Sequence, residues 1–549
     1  MAAEDAQRPH ATAVRMSAAA GATGLQPATS SAPATRRPRA KASGRTVEET
    51  ADERWARFSP IVSGDDYLDS LRGREIDLYL FGELVENPVD HPIIRPSMNA
   101  LAATYTLALE EPELASAMSP FIGKRVNRFL HIVEGPHDLV VKNRMQRRLG
   151  QLTGTCFQRC AGLDAFSVLH SITYDIDRAH GTSYHDRFIE FLKRAQENNI
   201  ILGAGMTDPK GDRSKRPSEQ ADPDLFMHVT RRTTEGLYVT GAKAHMTGGF
   251  NSHWLCVMPT MNLTAADRDY AVVGMVPADA MGLTFIYGRQ SCDTRALEDG
   301  DIDKGNARYG GQEALVVFDN VFIPWEHVLM DGEYEFAQEL VARFTAYHRA
   351  SYVCKTGLGD VLIGAAATIA DYNGVGHVSH IKEKLVEMTH LNETIYSSAI
   401  ASSHEARQLP SGTYMNDAML ANVCKHNVTR FPYEIARLAQ DLAGGIMVTL
   451  PSEQDLEHAV IGPLLKKYLK GRADVPAEHR ARLLRLIENM TLGRNAVGYL
   501  TESLHGAGSP QAQRIQIHRA MDIDGKKQLA KDLAGVTAGG PAGAGGGQS

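Results

Sequence analysis

The hydrophobic pattern of this chain changes period twice, and that double switch limits its fold more than any other feature. From 63 to 200, segments such as 97–109 and 164–172 repeat apolar residues at three- and four-residue intervals, the spacing of helices that bury one face. From 201 to 333 the pattern becomes short β-rich runs at 237–240, 254–258, 270–276, 283–287 and 314–318, bounded by Gly, Asn, Asp and Pro. Helical spacing then returns through 336–348, 361–372, 380–405, 415–443 and 476–504, which is enough helix for a bundle. The expectation is an α+β protein with an N-terminal helical domain (63–200), a middle β domain (201–333) and a C-terminal helical bundle (334–534). Residues 1–62 are rich in Ala, Ser, Thr, Pro and Arg without an apolar face, so a disordered N-terminal extension is expected there. Residues 535–549 read as a Gly-rich tail.

Four residues suggest a metal centre. Cys156 and Cys160 stand four apart, and on a helix that spacing puts two side chains on one face. His348 and Cys354 follow nearly two hundred residues later. Three thiolates and an imidazole suit structural zinc or an iron–sulfur cluster, and the donor set alone does not choose between them. The plainer alternative for the first pair is two small buried apolar side chains. Cys256 lies in an alternating strand and reads as core; Cys292 and Cys424 read as structural.

Composition narrows the class. With 549 residues, 43% of them hydrophobic, the chain can bury sizeable cores. Six scattered cysteines without a signal-like apolar segment argue for a reducing, cytoplasmic setting and against a disulfide framework. A formal charge of −7 with interspersed signs leaves no electrostatic footprint for nucleic acid. No unbroken run of about 18 apolar residues is present, so no membrane span is expected.

The order helices, β domain, bundle is that of the acyl-CoA dehydrogenase fold, and several motifs sharpen it. They are Ala-Gly-Met-Thr-Asp-Pro-Lys-Gly-Asp-Arg at 204–213, Gly-Ala-Lys-Ala-His-Met-Thr-Gly at 241–248 and Gly-Arg-Gln-Ser-Cys-Asp-Thr-Arg at 288–295. To these are added 310–324, beginning Gly-Gly-Gln-Glu, and 505–514, beginning His-Gly-Ala-Gly. Over about 97–531 the chain resembles the 4-hydroxybutyryl-CoA dehydratases.

The resemblance implies a [4Fe–4S] cluster on Cys156, Cys160, His348 and Cys354 beside FAD. Its pattern carries one more residue before the last cysteine than this chain, where only Val353 separates Tyr352 from Cys354; a bulge or turn must absorb the difference. It implies radical dehydration of 4-hydroxybutyryl-CoA to crotonyl-CoA, together with vinylacetyl-CoA Δ-isomerase activity. His348 would serve as ligand and C2 base, and Glu502 would move a proton at C2 or C4. Tyr352 would bond the substrate hydroxyl, with Glu313 and Lys355 at further active-site positions. Met206, Thr207 and Thr247 would surround the flavin ring, and Gln440, Gly444 and Gly445 would lie near its diphosphate. A homotetramer is implied as well. Two other readings stay open: a reduced-flavin aromatic monooxygenase, which shares the fold and uses no metal, and a zinc-stabilised helical binding protein.

Overall fold

The computed structural model describes residues 50–536. The expectations for 1–49 and for 537–549 lie outside these residues. Residues 50–62 depart from the expected disorder. Thr50 and Glu53 form a capping box on α1 (Ala51–Ala56), and the buried Trp55 stacks on Trp254 with ring centroids 5.0 Å apart. A single indole against a buried indole supplies the anchor that the segment's overall composition lacks.

The N-terminal helices are α2 (Gly64–Ser70), α3 (Arg95–Glu110), α4 (Pro112–Ala115), α5 (Pro136–Thr153), α6 (Cys160–His180) and α7 (Tyr184–Asn198). Not all of this region is helical. β1 (Asp77–Leu80) and β2 (Glu83–Leu84) leave it to join the main sheet, and β3 (Ser116–Met118) pairs with β4 (Arg125–Asn127). The expected boundary at 200 is therefore crossed: β1 runs parallel to a strand two hundred residues later, a pairing that local periodicity does not encode.

The β region contains β5 (Leu202–Gly205), β6 (His228–Arg232), β7 (Gly236–Thr247), β8 (Trp254–Val257), β9 (Val272–Pro277), β10 (Leu283–Tyr287), β11 (Glu313–Pro324) and β12 (Val328–Asp331). One sheet has the order β2-β1-β10-β11-β7-β6 and the other β12-β9-β8-β5. Its spine is the antiparallel pair β7 and β11, whose register sets Thr247 opposite Glu313 at one end and Gly236 opposite Pro324 at the other. A continuous apolar core runs from Trp55 through both sheets to Phe344, so the N-terminal helices and the β strands fold around shared contacts.

The bundle follows as α8 (Ala337–Ser351), α9 (Cys354–Tyr372), α10 (Ser379–His404), α11 (Ala418–Val428), α12 (Phe431–Ala443), α13 (Glu453–Glu457), α14 (Gly462–Tyr468) and α15 (Ala477–Thr491). After α15 come α16 (Arg494–Ala496), a π-helical turn at Val497–Thr501, α17 (Glu502–His505), α18 (Pro510–Ala520) and α19 (Ile523–Leu533). The expected helix at 415–443 divides because Pro432 occupies the first turn of α12, where its missing N–H costs nothing. The segment 476–504 divides at Leu492 and Gly493. A window within Tyr334–Tyr372 reaches a mean hydropathy of 1.4, apolar enough to cross a membrane by length and composition, which counting unbroken runs missed. Two-thirds of it (67%) is buried inside the protein, so its apolarity serves the core.

Candidate active site

The two early cysteines do not share a helical face as their spacing suggested. α5 ends at Gly154, a left-handed cap with φ 59°. The chain then loops through Gln158, whose φ is 62°, and α6 starts at Cys160, so Cys156 sits on the loop and Cys160 on the first helical turn. The loop is pinned from both sides. The Gln158 amide donates to the carbonyls of Ser97 (2.8 Å) and Gly310 (3.3 Å), while the buried Arg159 guanidinium lies 4.5 Å over the ring of Tyr105.

Cys354 comes to this loop because two helices touch backbone to backbone. A Cβ on Gly150 of α5 would lie 2.6 Å from the Cys354 carbonyl, and one on Gly357 of α9 would lie 2.1 Å from the Arg147 carbonyl. Such an approach tolerates only glycine at both places. Between α8 and α9, Tyr352 and Val353 form the turn that the shortened spacing required. Cys160 and Cys354 share an apolar cluster with Phe129, Met145, Phe157 and Leu163. Cys156 lies beside them, its thiol donating to Glu502 Oε1 at 3.6 Å. Burial pushes all three thiols up, Cys354 to about 11 and the other two well above their ordinary value, and negative charge on Cys354 adds to the shifts of Cys156 and Cys160. Three buried thiols that oppose one another's ionisation suit a cationic centre that stabilises them as thiolates.

A single zinc ion brings its ligand atoms within about 4 Å of one another, given Zn–S bonds near 2.3 Å. Among the described residues, only His131, Glu134 and Asp138 form a His/Cys/Asp/Glu group whose ligand atoms all lie within 4.8 Å of one another, and Arg128 already donates to Asp138 at 3.3 Å. The cysteines and His348 span a wider space, which fits a multi-iron cluster better than a mononuclear cage.

His348 is oriented by a residue that sequence reasoning missed. Its Nδ1 donates to Asp164 Oδ2 at 2.8 Å, and the other oxygen of this fully buried carboxylate accepts from Lys142 at 2.8 Å and Ser351 at 3.1 Å. Burial pushes the Asp164 carboxyl up, but Lys142 and His348 outweigh it and hold the group below its usual range. A carboxylate on one imidazole nitrogen is the usual support of a metal-ligating histidine, fixing the ring and its tautomer. The signal was available: Asp164 stands four residues after Cys160, one turn along α6.

Around the cysteines lie the other matched residues. Lys355, buried on α9, donates to Glu502 Oε2 at 2.8 Å; burial would lower the lysine, but Glu502 raises it well above its ordinary value. The π-helical turn before Glu502 carries Gly498, where a Cβ would stand 3.3 Å from that of Cys156. Tyr352 is buried, its ring edge-on to His348 at 5.3 Å and 76°. Thr247 donates to Glu313 Oε1 across the β7–β11 pair. Burial, then the charge of Glu502, pushes Glu313 up to about 8, and its Oε2 has no hydrogen-bond partner.

The residues expected around the flavin fall into two groups. Met206 and Thr207 follow β5 and are tied to β7, with Lys243 Nζ donating to the Met206 carbonyl (3.2 Å) and the Ala244 amide to the Thr207 carbonyl (2.8 Å). This puts them on the strand that ends at Thr247. Gln440, Gly444 and Gly445 end α12, where both glycines are exposed with open space in place of side chains. Among the described residues no hydrogen bond or ion pair links them to the first group.

Comparison with known proteins decides the family. The chain is 54% identical over 489 residues to the 4-hydroxybutyryl-CoA dehydratase/vinylacetyl-CoA-Δ-isomerase of Clostridium aminobutyricum, covering 87% of this chain and 100% of the relative. The chain belongs to the 4-hydroxybutyryl-CoA dehydratase family. An oxygen-tolerant archaeal 4-hydroxybutyryl-CoA dehydratase from N. maritimus superposes with TM-score 0.86 at 67% identity, over 88% of this chain and 96% of that one. The family profiles for 4-hydroxyphenylacetate 3-hydroxylase, N terminal and C terminal, match residues 63–330 and 337–535. The oxygenase component of 4-hydroxyphenylacetate 3-monooxygenase, solved with FAD, superposes with TM-score 0.76 at 23% identity over 86% of this dehydratase-family chain and 98% of its own, and shares the acyl-CoA dehydrogenase-like fold. In sequence, such a monooxygenase component from Geobacillus is 24% identical over 86% of this chain and 96% of its own length, so the monooxygenase reading rests on distant kinship alone.

Proposed function

We propose that the protein dehydrates 4-hydroxybutyryl-CoA to crotonyl-CoA and isomerises vinylacetyl-CoA, with a [4Fe–4S] cluster on Cys156, Cys160, His348 and Cys354 and with FAD on the Thr247 side. The observation that carries this reading is the convergence of three buried thiols from separate segments on a histidine held by a buried carboxylate. When bound, the cluster supplies a Lewis-acidic iron for the substrate hydroxyl and the flavin a reversible one-electron exchange.

The chain's own groups then manage binding and protons. His348 keeps Nε2 as its remaining donor or acceptor, since Asp164 occupies Nδ1. Glu502, held in one orientation by Lys355, takes or returns a proton at C2 or at the C4 oxygen. Tyr352 stands beside His348 to bond the C4 hydroxyl. Glu313, its carboxyl pushed up to about 8 by burial and the charge of Glu502, has Oε2 free of hydrogen bonds for a ligand. The reading includes a cytoplasmic homotetramer; the exposed apolar side chains of Val448 (86%), Val460 (71%) and Tyr468 (71%) support self-association.

The test is a visible spectrum with iron, sulfide and flavin analysis of anaerobically purified protein, alongside turnover of 4-hydroxybutyryl-CoA. Broad iron–sulfur absorption with flavin and crotonyl-CoA formation are expected. Colourless zinc protein, or flavin without iron and hydroxylation of a phenol, would overturn the proposal.

A further inference from the structure

Lys425, on the last turn of α11, is completely buried and plays no part in the chemistry above. Its ammonium donates to the backbone carbonyl of Ser503, the residue after Glu502. On its other side it lies 4.2 Å from the ring centroid of Tyr352. Its charged neighbours are two cations, Lys355 and Arg349, and the carboxylate of Glu502, which Lys355 already holds at 2.8 Å. Among the described residues no carboxylate lies within ion-pairing distance of Lys425.

An unpaired buried ammonium is unfavourable, and a Leu or Met of similar length would fill the space without the desolvation cost. The environment reports that cost: burial, then the charges of Lys355 and Arg349, push Lys425 down to about 7. Lys355 shows the opposite shift because it has Glu502. Stability therefore does not account for a lysine at 425, and its two contacts suggest what does. They join the turn between α8 and α9, which carries Tyr352, to the turn that carries Glu502.

The Tyr352 ring packs in an apolar cluster with Val353, Ile395, Ala399 and Val428, and Lys355 lies 5.4 Å from its centroid. Lys425 lies over its face, His348 meets it edge-on, and its hydroxyl comes so close to Gly506 that a Cβ there would stand 1.7 Å from the oxygen. Remove Lys425, and the nearer of the two cations on the ring, at 4.2 Å against 5.4 Å for Lys355, is lost together with the tie to the Glu502 turn. We infer that Lys425 is a positioning residue: through the Tyr352 ring and the Ser503 carbonyl it sets the distance between the Tyr352 phenol and the Glu502 carboxylate. A cation over a phenol face is a directional contact that neither Met nor Leu can replace, and a displacement of about 1 Å at a reacting group is enough to cost about a hundredfold in rate.

This inference rests on the proposed dehydratase reading, and its test separates the two. Lys425→Met and Tyr352→Leu would be made singly and together in the full-length holoenzyme. Lys425→Met is expected to fold with a Tm at or above the parent's, to keep iron and flavin, and to lose about tenfold or more in kcat with little change in KM. In the Tyr352→Leu background the same change should cost less than about twofold, because residues acting as a unit are not additive. Lys425→Arg, which keeps the charge in a bulkier fork, should recover part of the loss. A crystal structure of Lys425→Met should show the Tyr352 hydroxyl and the Glu502 carboxylate displaced relative to each other. Parental kcat in Lys425→Met, fully multiplicative effects in the double variant, or failure of Lys425→Met to fold would each overturn the inference. If the parent itself does not turn over 4-hydroxybutyryl-CoA, the functional reading fails, and the crystal structure alone decides whether Lys425 positions Tyr352.

Discussion

Around Asp164 both carboxylate oxygens are answered by other side chains, whereas on the Thr247 side Glu313 Oε2 is buried without a hydrogen bond, with the His245 ring 4.0 Å away. Asp164 accepts from His348, Lys142 and Ser351 at once; Glu313 accepts from Thr247 on one oxygen only. The Asp164 network is finished when the chain folds, since its hydrogen bonds run between α5, α6 and α8 and need no ligand. The Thr247 side keeps an oxygen open to a hydrogen bond. A buried polar group left unpaired in the folded state is costly, so the contrast separates a closed hydrogen-bond network from a carboxyl oxygen still able to take a hydrogen bond.

Removal of a cluster ligand should break the finished side most completely. Cys160→Ala is expected to lose all of the roughly four irons of a [4Fe–4S] cluster and with them all turnover, read by iron analysis; full iron retention would remove Cys160 from the ligand set. Glu502→Gln comes next. It keeps the size and hydrogen-bonding shape of the side chain, so iron and flavin should stay while kcat falls about 10²- to 10⁴-fold, the usual contribution of a general acid or base. Parental turnover with both cofactors intact would make Glu502 structural.

Asp164 sharpens the comparison further. Asp164→Asn alone leaves Lys142 buried without a counter-charge, which costs about 3–5 kcal/mol of stability. Combined with Lys142→Met that cost should largely disappear, while iron affinity still drops about 10- to 100-fold, because the support of His348 is gone. Chelator challenge followed by absorbance measures it, and unchanged iron affinity in the double variant would detach Asp164 from the metal.

The smallest effect belongs to the unfinished side. Glu313 is raised from its ordinary 4.5 to about 8, so the folded chain binds this proton more tightly than the unfolded chain. The corresponding stability is fully present below about 4.5 and is lost as pH rises through about 8. For flavin-free protein the Tm should therefore fall between pH 5 and 8.5 by more in the parent than in Glu313→Gln. Identical slopes would show that Glu313 ionises freely.

Much of this was legible in the sequence where the controlling interactions are local. The alternation at 237–240 and 314–318 lies within the observed β7 and β11, and the spacing from His348 to Cys354 called for the turn seen at Tyr352 and Val353. Cys156 and Cys160 were placed on one helix because their four-residue spacing fits it, yet the left-handed residues at Gly154 and Gln158 turn the chain between helices. Gln158 gives no conformational signal of its own; its φ is fixed by bonds to Ser97 and Gly310, remote in sequence. The role of Asp164 is signalled locally only by its place one turn after Cys160; its pairing with His348, nearly two hundred positions away, is not.

The contact between Gly150 and Gly357 makes Cys354, the proposed iron ligand, hostage to hydrogen atoms that never approach its sulfur. A methyl group on either glycine would meet a carbonyl of the facing helix at 2.6 Å or 2.1 Å, and the helix pair would have to part to admit it. Because Cys354 heads α9, such spreading would carry its sulfur away from Cys156 and Cys160. A conservative glycine-to-alanine change at the rear of the site would then look, by colour and iron content, like the loss of a cysteine.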